Sequence, residues 1–88
     1  MELTKHAIQR AAQRSIPDAV VEAIYAFGAS YSARGCTGLR LDRVAIELAA
    51  DELAASEIQR LRRFHGAFII TSGAKVVTVA RATRRRFI

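Results

Sequence analysis

The stretch Ala67–Arg81, AFIITSGAKVVTVAR, decides the fold. Two runs rich in β-branched residues, Phe68-Ile69-Ile70-Thr71 and Val76-Val77-Thr78-Val79, flank the short connection Ser72-Gly73-Ala74. Such runs on either side of a glycine-containing connection read as a β-hairpin. Upstream lies the longest periodic segment, Arg43 to Arg63, with Ile46, Ala49, Ala50, Leu53, Ala54, Ile58 and Leu61 at helical spacing. Its alanine, leucine, glutamate and arginine are strong helix formers. Glu47, Asp51 and Glu52 come early and Arg60, Arg62 and Arg63 late, which complements a helix dipole at both ends. Gly66 is placed to end it. Ser56-Glu57 marks a point where the segment could instead divide into two shorter helices.

Further back, Gly35 and Gly38 sit three apart between the short runs Ala29–Arg34 and Leu39–Asp42, a spacing that suggests a turn or hairpin. Thr4 is a fitting N-cap for a first helix running to about Ser15, with Ala7, Ile8, Ala11 and Ala12 as its packing stripe. Ser15-Ile16-Pro17 then reads as a cap followed by proline in the first turn of a second helix. That helix carries Val20, Val21, Ile24, Tyr25 and Phe27 and stops at Gly28. The expectation is an α+β fold: two N-terminal helices and a longer central helix packed on a small antiparallel sheet that ends in the C-terminal hairpin. The chain, 1–88, makes a single domain, with no internal repeat or low-complexity linker.

The chain has a formal net charge of +6, with 51% hydrophobic and 25% charged residues. That is an ordinary globular composition carrying a strongly basic balance, which favours polyanionic partners. The charge is uneven. Residues 58–88 hold Arg60, Arg62, Arg63, Lys75, Arg81, Arg84, Arg85 and Arg86 and no acid, whereas residues 36–57 set five acids against Arg40 and Arg43. Several classes are disfavoured. The chain is too short for separate cofactor and substrate domains, and it has no glycine-rich phosphate loop. The lone Cys36 and the separated His6 and His65 form no metal-ligand cluster, so neither a metal site nor a cofactor is expected. No apolar run approaches the roughly 20 residues of a bilayer span, and no signal-peptide pattern opens the chain. The expectation is a cytoplasmic protein without a membrane partner.

His6, Arg10 and Arg14 recur every four residues and therefore share one stripe of the first helix, beside its packing seam. Two readings stand: a reactive stripe, or a solvated basic face in which Arg14 is within reach of Asp18. Histidine titrates near neutrality, so His6 is the acid–base candidate. Arginine forks match phosphate oxygens, so Arg10 and Arg14 suit a phosphate clamp. Arg60, Arg62, Arg63 and Lys75, with the run Arg84-Arg85-Arg86, are candidate nucleic-acid-binding residues if the helix end and hairpin pack together. His65 stands at the expected helix end, where capping of carbonyls is the simpler role.

The opening T-K-H-A-I-Q-R-A-A-Q-R-S-I-P, the following Val-Val-Glu-Ala-Ile helix with Gly28, and the strand Val76-Val77-Thr78-Val79 with basic residues behind it resemble small bacterial proteins of domain-of-unknown-function family 4258. The resemblance covers about residues 3–28 and 66–84, and the alanine-rich segment 43–63 departs from the family pattern. The resemblance implies the architecture of the barnase–EndoU–colicin–RelE group of endoribonuclease toxins, with N-terminal helices packed on an antiparallel sheet. It also implies RNA as substrate and a toxin–antitoxin or toxin–immunity setting, with an acidic antitoxin or immunity protein as partner. Thr78 and Arg81 match the family's terminal strand and would add a donor and a cation to His6, Arg10 and Arg14. Metal-independent RNA cleavage needs an acid–base group and positive donors around the phosphate. Thr78 and Arg81 have opposite parity, so one site takes both only if the strand ends or bulges between them. The alternatives are a nucleic-acid-binding protein without catalysis, and an interaction module that docks another protein or forms a homodimer through the 43–63 helix.

Overall fold

The computed structural model describes residues 1–82. The residues are α+β, with four helices and one five-stranded mixed sheet. The elements run β1 (Glu2–Leu3), α1 (Lys5–Gln13), α2 (Asp18–Phe27), β2 (Ala29–Ala33), β3 (Cys36–Arg40), α3 (Arg43–Ala49), α4 (Ala55–Arg63), β4 (Ala67–Ser72) and β5 (Lys75–Arg81). The strand order is β1-β5-β4-β3-β2.

The hairpin of 67–81 forms, but it lies inside the sheet rather than ending it. β1 pairs parallel with β5 through Glu2–Lys75 and Leu3–Val76, so the sheet is mixed, not antiparallel throughout. The β4–β5 turn is Gly73-Ala74, with Gly73 at φ 61. Positive φ at the first central residue is the pattern of a type II′ turn. A register shift opposite Ile70 and Thr71 leaves Val77 unpaired as a bulge. The glycine-marked segment before it is a second hairpin. Its turn is not the Gly35–Gly38 interval but Arg34 (φ 48) and Gly35 (φ 82), both left-handed as a type I′ turn requires, and Gly38 lies within β3 opposite Tyr31.

The single long central helix is replaced by two. α3 ends at Ala49, a turn follows, and α4 begins at Ala55. A continuous helix of this length would reach about 31 Å, against a domain whose longest extent is 36 Å. Dividing it lets Ala45, Ile46 and Ala49 of one piece and Ile58 and Leu61 of the other reach one core. The division falls a few residues before Ser56-Glu57. Glu57 Oε1 accepts the Ala54 N–H at 3.2 Å and so satisfies a donor at the new helix start.

The N-terminal helices follow local capping rules, but of the expected packing stripe only Ala7 and Ala11 are buried, while Ile8 and Ala12 are exposed. Thr4 caps α1 by accepting from Ala7 N–H at 3.2 Å. Ser15, at φ 55, ends it with Ser15 N–H bonded to Ala12 and Ile16 N–H to Ala11, the paired bonds of a Schellman stop. Pro17 sits one residue before α2, as its N-cap, rather than within its first turn. Gly28 does follow α2, but with extended backbone. A Cβ there would collide with the Ile24 carbonyl, so close approach demands the glycine, not a left-handed turn.

The buried residues of all four helices join Ala67, Ile69, Val76 and Val79 in one core. Thr71 is buried among them, with its hydroxyl donating to the Thr37 carbonyl at 3.1 Å. The opposite face of the sheet presents Tyr31, Gly38, Arg40, Phe68, Ile70, Thr78 and Ala80, and of its apolar side chains none belongs to the core.

Candidate nucleic-acid interface

α1 packs chiefly on β5. The small residues Ala7 and Ala11, both buried, permit that approach. β1 pairs only with Lys75 and Val76, so α1 is the neighbour of β5 beyond that point. The helix bearing His6, Arg10 and Arg14 therefore adjoins the strand bearing Thr78 and Arg81. His6 and Arg14 are exposed and Arg10 is half-buried. The Arg14–Asp18 pair does not form; among the described residues the ion pair present is Arg43–Glu47, at 3.7 Å and well exposed.

Thr78 and Arg81 part company. Thr78 pairs with Ile70 on the helix-free face, whereas Arg81 pairs with the fully buried Ala67 and turns to the helix side. The bulge at Val77 precedes both and cannot bring them together. Arg81 is already engaged: its guanidinium donates to the Arg63 carbonyl at the end of α4 and lies 5.5 Å from the centre of the Phe64 ring. It ties the strand end to the helix end.

Among the described residues the other basic candidates form no single cluster. Arg60 borders an apolar groove between α2 and α4, with Ala23, Phe27, Leu53 and Leu61. Lys75 begins β5 while Arg81, beside Arg63, ends it, a separation of roughly 20 Å along the strand. Arg84, Arg85 and Arg86 lie outside the described residues. Arg62 meets residues that sequence reasoning did not join to it. Arg43, Glu47, Arg62 and His65 line one open cleft. Backbone bonds Gly66 N–H to Leu41 O (2.9 Å) and Leu41 N–H to Ala67 O (2.8 Å) clamp the start of α3 to the end of α4 and create it. No sequence signal announces a cleft made by two such distant helix ends.

The distribution of charge is sharper than the contrast between residues 36–57 and 58–88 suggests. No acidic residue occurs from Gly28 to Leu41 or from Phe64 to Ala82, the segments that supply β2 to β5. They contain Arg34, Arg40, Lys75 and Arg81. Seven of the eight acids lie in α2 to α4 and their flanking residues; the eighth, Glu2, is on the edge strand β1. Acidity is thus gathered in the helical layer and its connections.

On the helix-free face the Tyr31 ring covers Gly38 so closely that a Cβ at Gly38 would fall against Cζ, Cε1 and Cε2 of the ring. The Arg40 guanidinium stands 4.6 Å from the ring centre, within cation–π range. Among the described residues no group of three or more His, Cys, Asp or Glu could hold a metal, and no helix is long and apolar enough to cross a membrane. Comparison with known proteins finds no matching family model, curated protein or solved structure.

Proposed function

We propose that this chain is a small RNA-acting protein, of the metal-independent endoribonuclease toxin type, with an acidic antitoxin or immunity protein as its natural partner. The packing of α1 against β5 carries the reading. It sets the His6–Arg10–Arg14 helix beside the strand of Thr78, next to a sheet from whose four longer strands acidic residues are excluded. His6 is the acid–base group. Arg10 and Arg14 hold phosphate, and Thr78 supplies a hydroxyl donor on the helix-free face. Arg81 positions the strand end through its bond to the Arg63 carbonyl, in place of the phosphate contact that the resemblance implies. Removing one acid–base group typically costs 10²- to 10⁴-fold in rate. His6→Ala is expected to lower cleavage of a labelled RNA by about that factor, with unchanged melting temperature and restored growth of expressing cells. Cleavage and toxicity at wild-type levels would remove His6 from the mechanism.

A second reading has its own observation. The cleft of Arg43, Glu47, Arg62 and His65 combines a histidine, a carboxylate and two guanidinium groups. Loss of cleavage in His65→Ala but not in His6→Ala assigns the chemistry there. RNA that is bound but left uncut by wild-type protein supports a binding protein without catalysis.

A further inference from the structure

We propose that the helix-free face of the sheet is a stacking platform for single-stranded nucleic acid. The inference deepens the RNA-acting reading and rests on it. Strand register builds the platform as two transverse rows: Tyr31–Gly38–Ile70–Thr78, and beside it Ala29–Arg40–Phe68–Ala80. Each row crosses four strands, a width of about 14 Å at the usual interstrand spacing. Four-stranded sheets present room for two or three splayed bases on such a face.

Three observations select a nucleic acid over other occupants. First, the ligand-facing groups suit base faces. Gly38 lets the Tyr31 ring lie down on the sheet, and the Arg40 guanidinium lies over that ring, so the two form one planar stack. Phe68 and Ile70 remain half-buried and, among the described residues, belong to no core under a helix. Aromatic rings and guanidinium planes are the surfaces on which unpaired bases stack. Second, strands β2 to β5 and the two hairpin turns carry Arg34, Arg40, Lys75 and Arg81 but no carboxylate, so a phosphate backbone crossing those strands meets only attraction, the acid nearest them in the sheet being Glu2 on the β1 edge. A protein partner with an ordinary mixed surface gains nothing from that segregation. Third, the first row ends at Thr78, on the strand against which α1 packs. A strand of RNA laid on Tyr31 is thereby led toward the proposed site. Duplexes hide their base faces, so the platform discriminates against them.

The test uses the full chain and a fluorescein-labelled oligouridine of about 12 nucleotides, within the range of known single-strand site sizes. The matching oligothymidine and a duplex of equal length are the comparators. Both single strands are expected to outbind the duplex; equal binding of the two points to base faces alone, and preference for RNA adds contacts to the 2′-hydroxyl, either result supporting the platform. Tyr31→Ala is expected to weaken single-strand binding about 5- to 100-fold, with Tyr31→Phe near wild type. Arg40→Gln is expected to weaken binding and to reduce the salt slope by about one, whereas Tyr31→Ala leaves that slope in place. Phe68→Leu is a second probe, milder for the fold. Duplex binding as tight as single-strand binding overturns the proposal, as do wild-type affinities in both Tyr31→Ala and Phe68→Leu variants whose melting shows them folded. A stable dimer by light scattering that Tyr31→Ala converts to monomer also overturns it, assigning the face to a second copy. If Tyr31-dependent binding is seen but no RNA is cut by any preparation, the platform stands and the ribonuclease reading falls. If RNA is cut and the Tyr31 variants bind normally, the ribonuclease reading stands and the platform falls.

Discussion

The two faces of the sheet are made from the same kinds of residue and meet opposite fates. On β4, Ile69 is wholly buried under the helices while its neighbour Ile70 stays half-exposed on the other side. On β5, Val79 is buried and Thr78 is not. Alternation puts successive side chains on opposite faces, so a strand that is apolar at nearly every position serves two surfaces. One is closed by four helices, with no buried side-chain polar atom left without a partner among the described residues. The other is apolar, aromatic and free of acidic residues except at its β1 edge. A sheet whose second face met only water would show a cleaner polar alternation. The proposed platform for single-stranded nucleic acid accounts for that departure.

The two isoleucines test the difference between the faces most directly. Ile69→Ala is expected to cost about 2–5 kcal/mol of stability, as large-to-small changes in a closed core do. Ile70→Ala is expected to cost less than about half of that, because much of its surface is never taken from water. Urea unfolding of both variants checks this; equal losses would mean that the two faces are equally closed. A smaller effect tests the open face itself. Gly38→Ala is expected to cost about 1–3 kcal/mol by overpacking against Tyr31. Most of that cost should vanish in a Tyr31→Ala background, a coupling that a double-mutant cycle reads. The smallest effect belongs to the helical layer. Asp42 caps α3 by accepting from Ala45 N–H at 2.9 Å. Asp42→Ala is expected to lose about 1 kcal/mol, largely recovered in Asp42→Asn, by the same unfolding measurement.

Much of the architecture was legible where the signal is local. Thr4 as a cap, Gly28 behind α2, and both hairpins follow from neighbours in the chain. The longer-range features were not. β1 is two residues long, and its partners Lys75 and Val76 lie at the other end of the chain; nothing in Glu2-Leu3 announces a strand. The periodicity of 43–63 is real, yet it is satisfied by two helices as well as by one, and only the core they share chooses. For the candidate site, the His6 stripe was visible as a spacing, and its nearness to β5 was not. The parity conflict between Thr78 and Arg81 was visible, and its outcome, Arg81 bound to the Arg63 carbonyl, required the end of α4 to arrive beside the end of β5. The cleft of Arg43, Glu47, Arg62 and His65 had no signal at all, because it depends on the junction of Leu41 with Gly66 and Ala67.

By itself, the sequence determined the helices of the first third, the turn of the 67–81 hairpin and the confinement of acids to particular segments. Each rests on capping, turn chemistry or composition within a few residues. Which side of the hairpin is core and which is surface was decided only by the tertiary structure. Ile69 and Ile70 are the same residue, and nothing between them says which will face the helices. Pairing of β4 with β3 and β5, and the landing of the helices on one side, made that choice. The same register converted a list of residues without acids into a face with a tyrosine, a phenylalanine and an arginine on it.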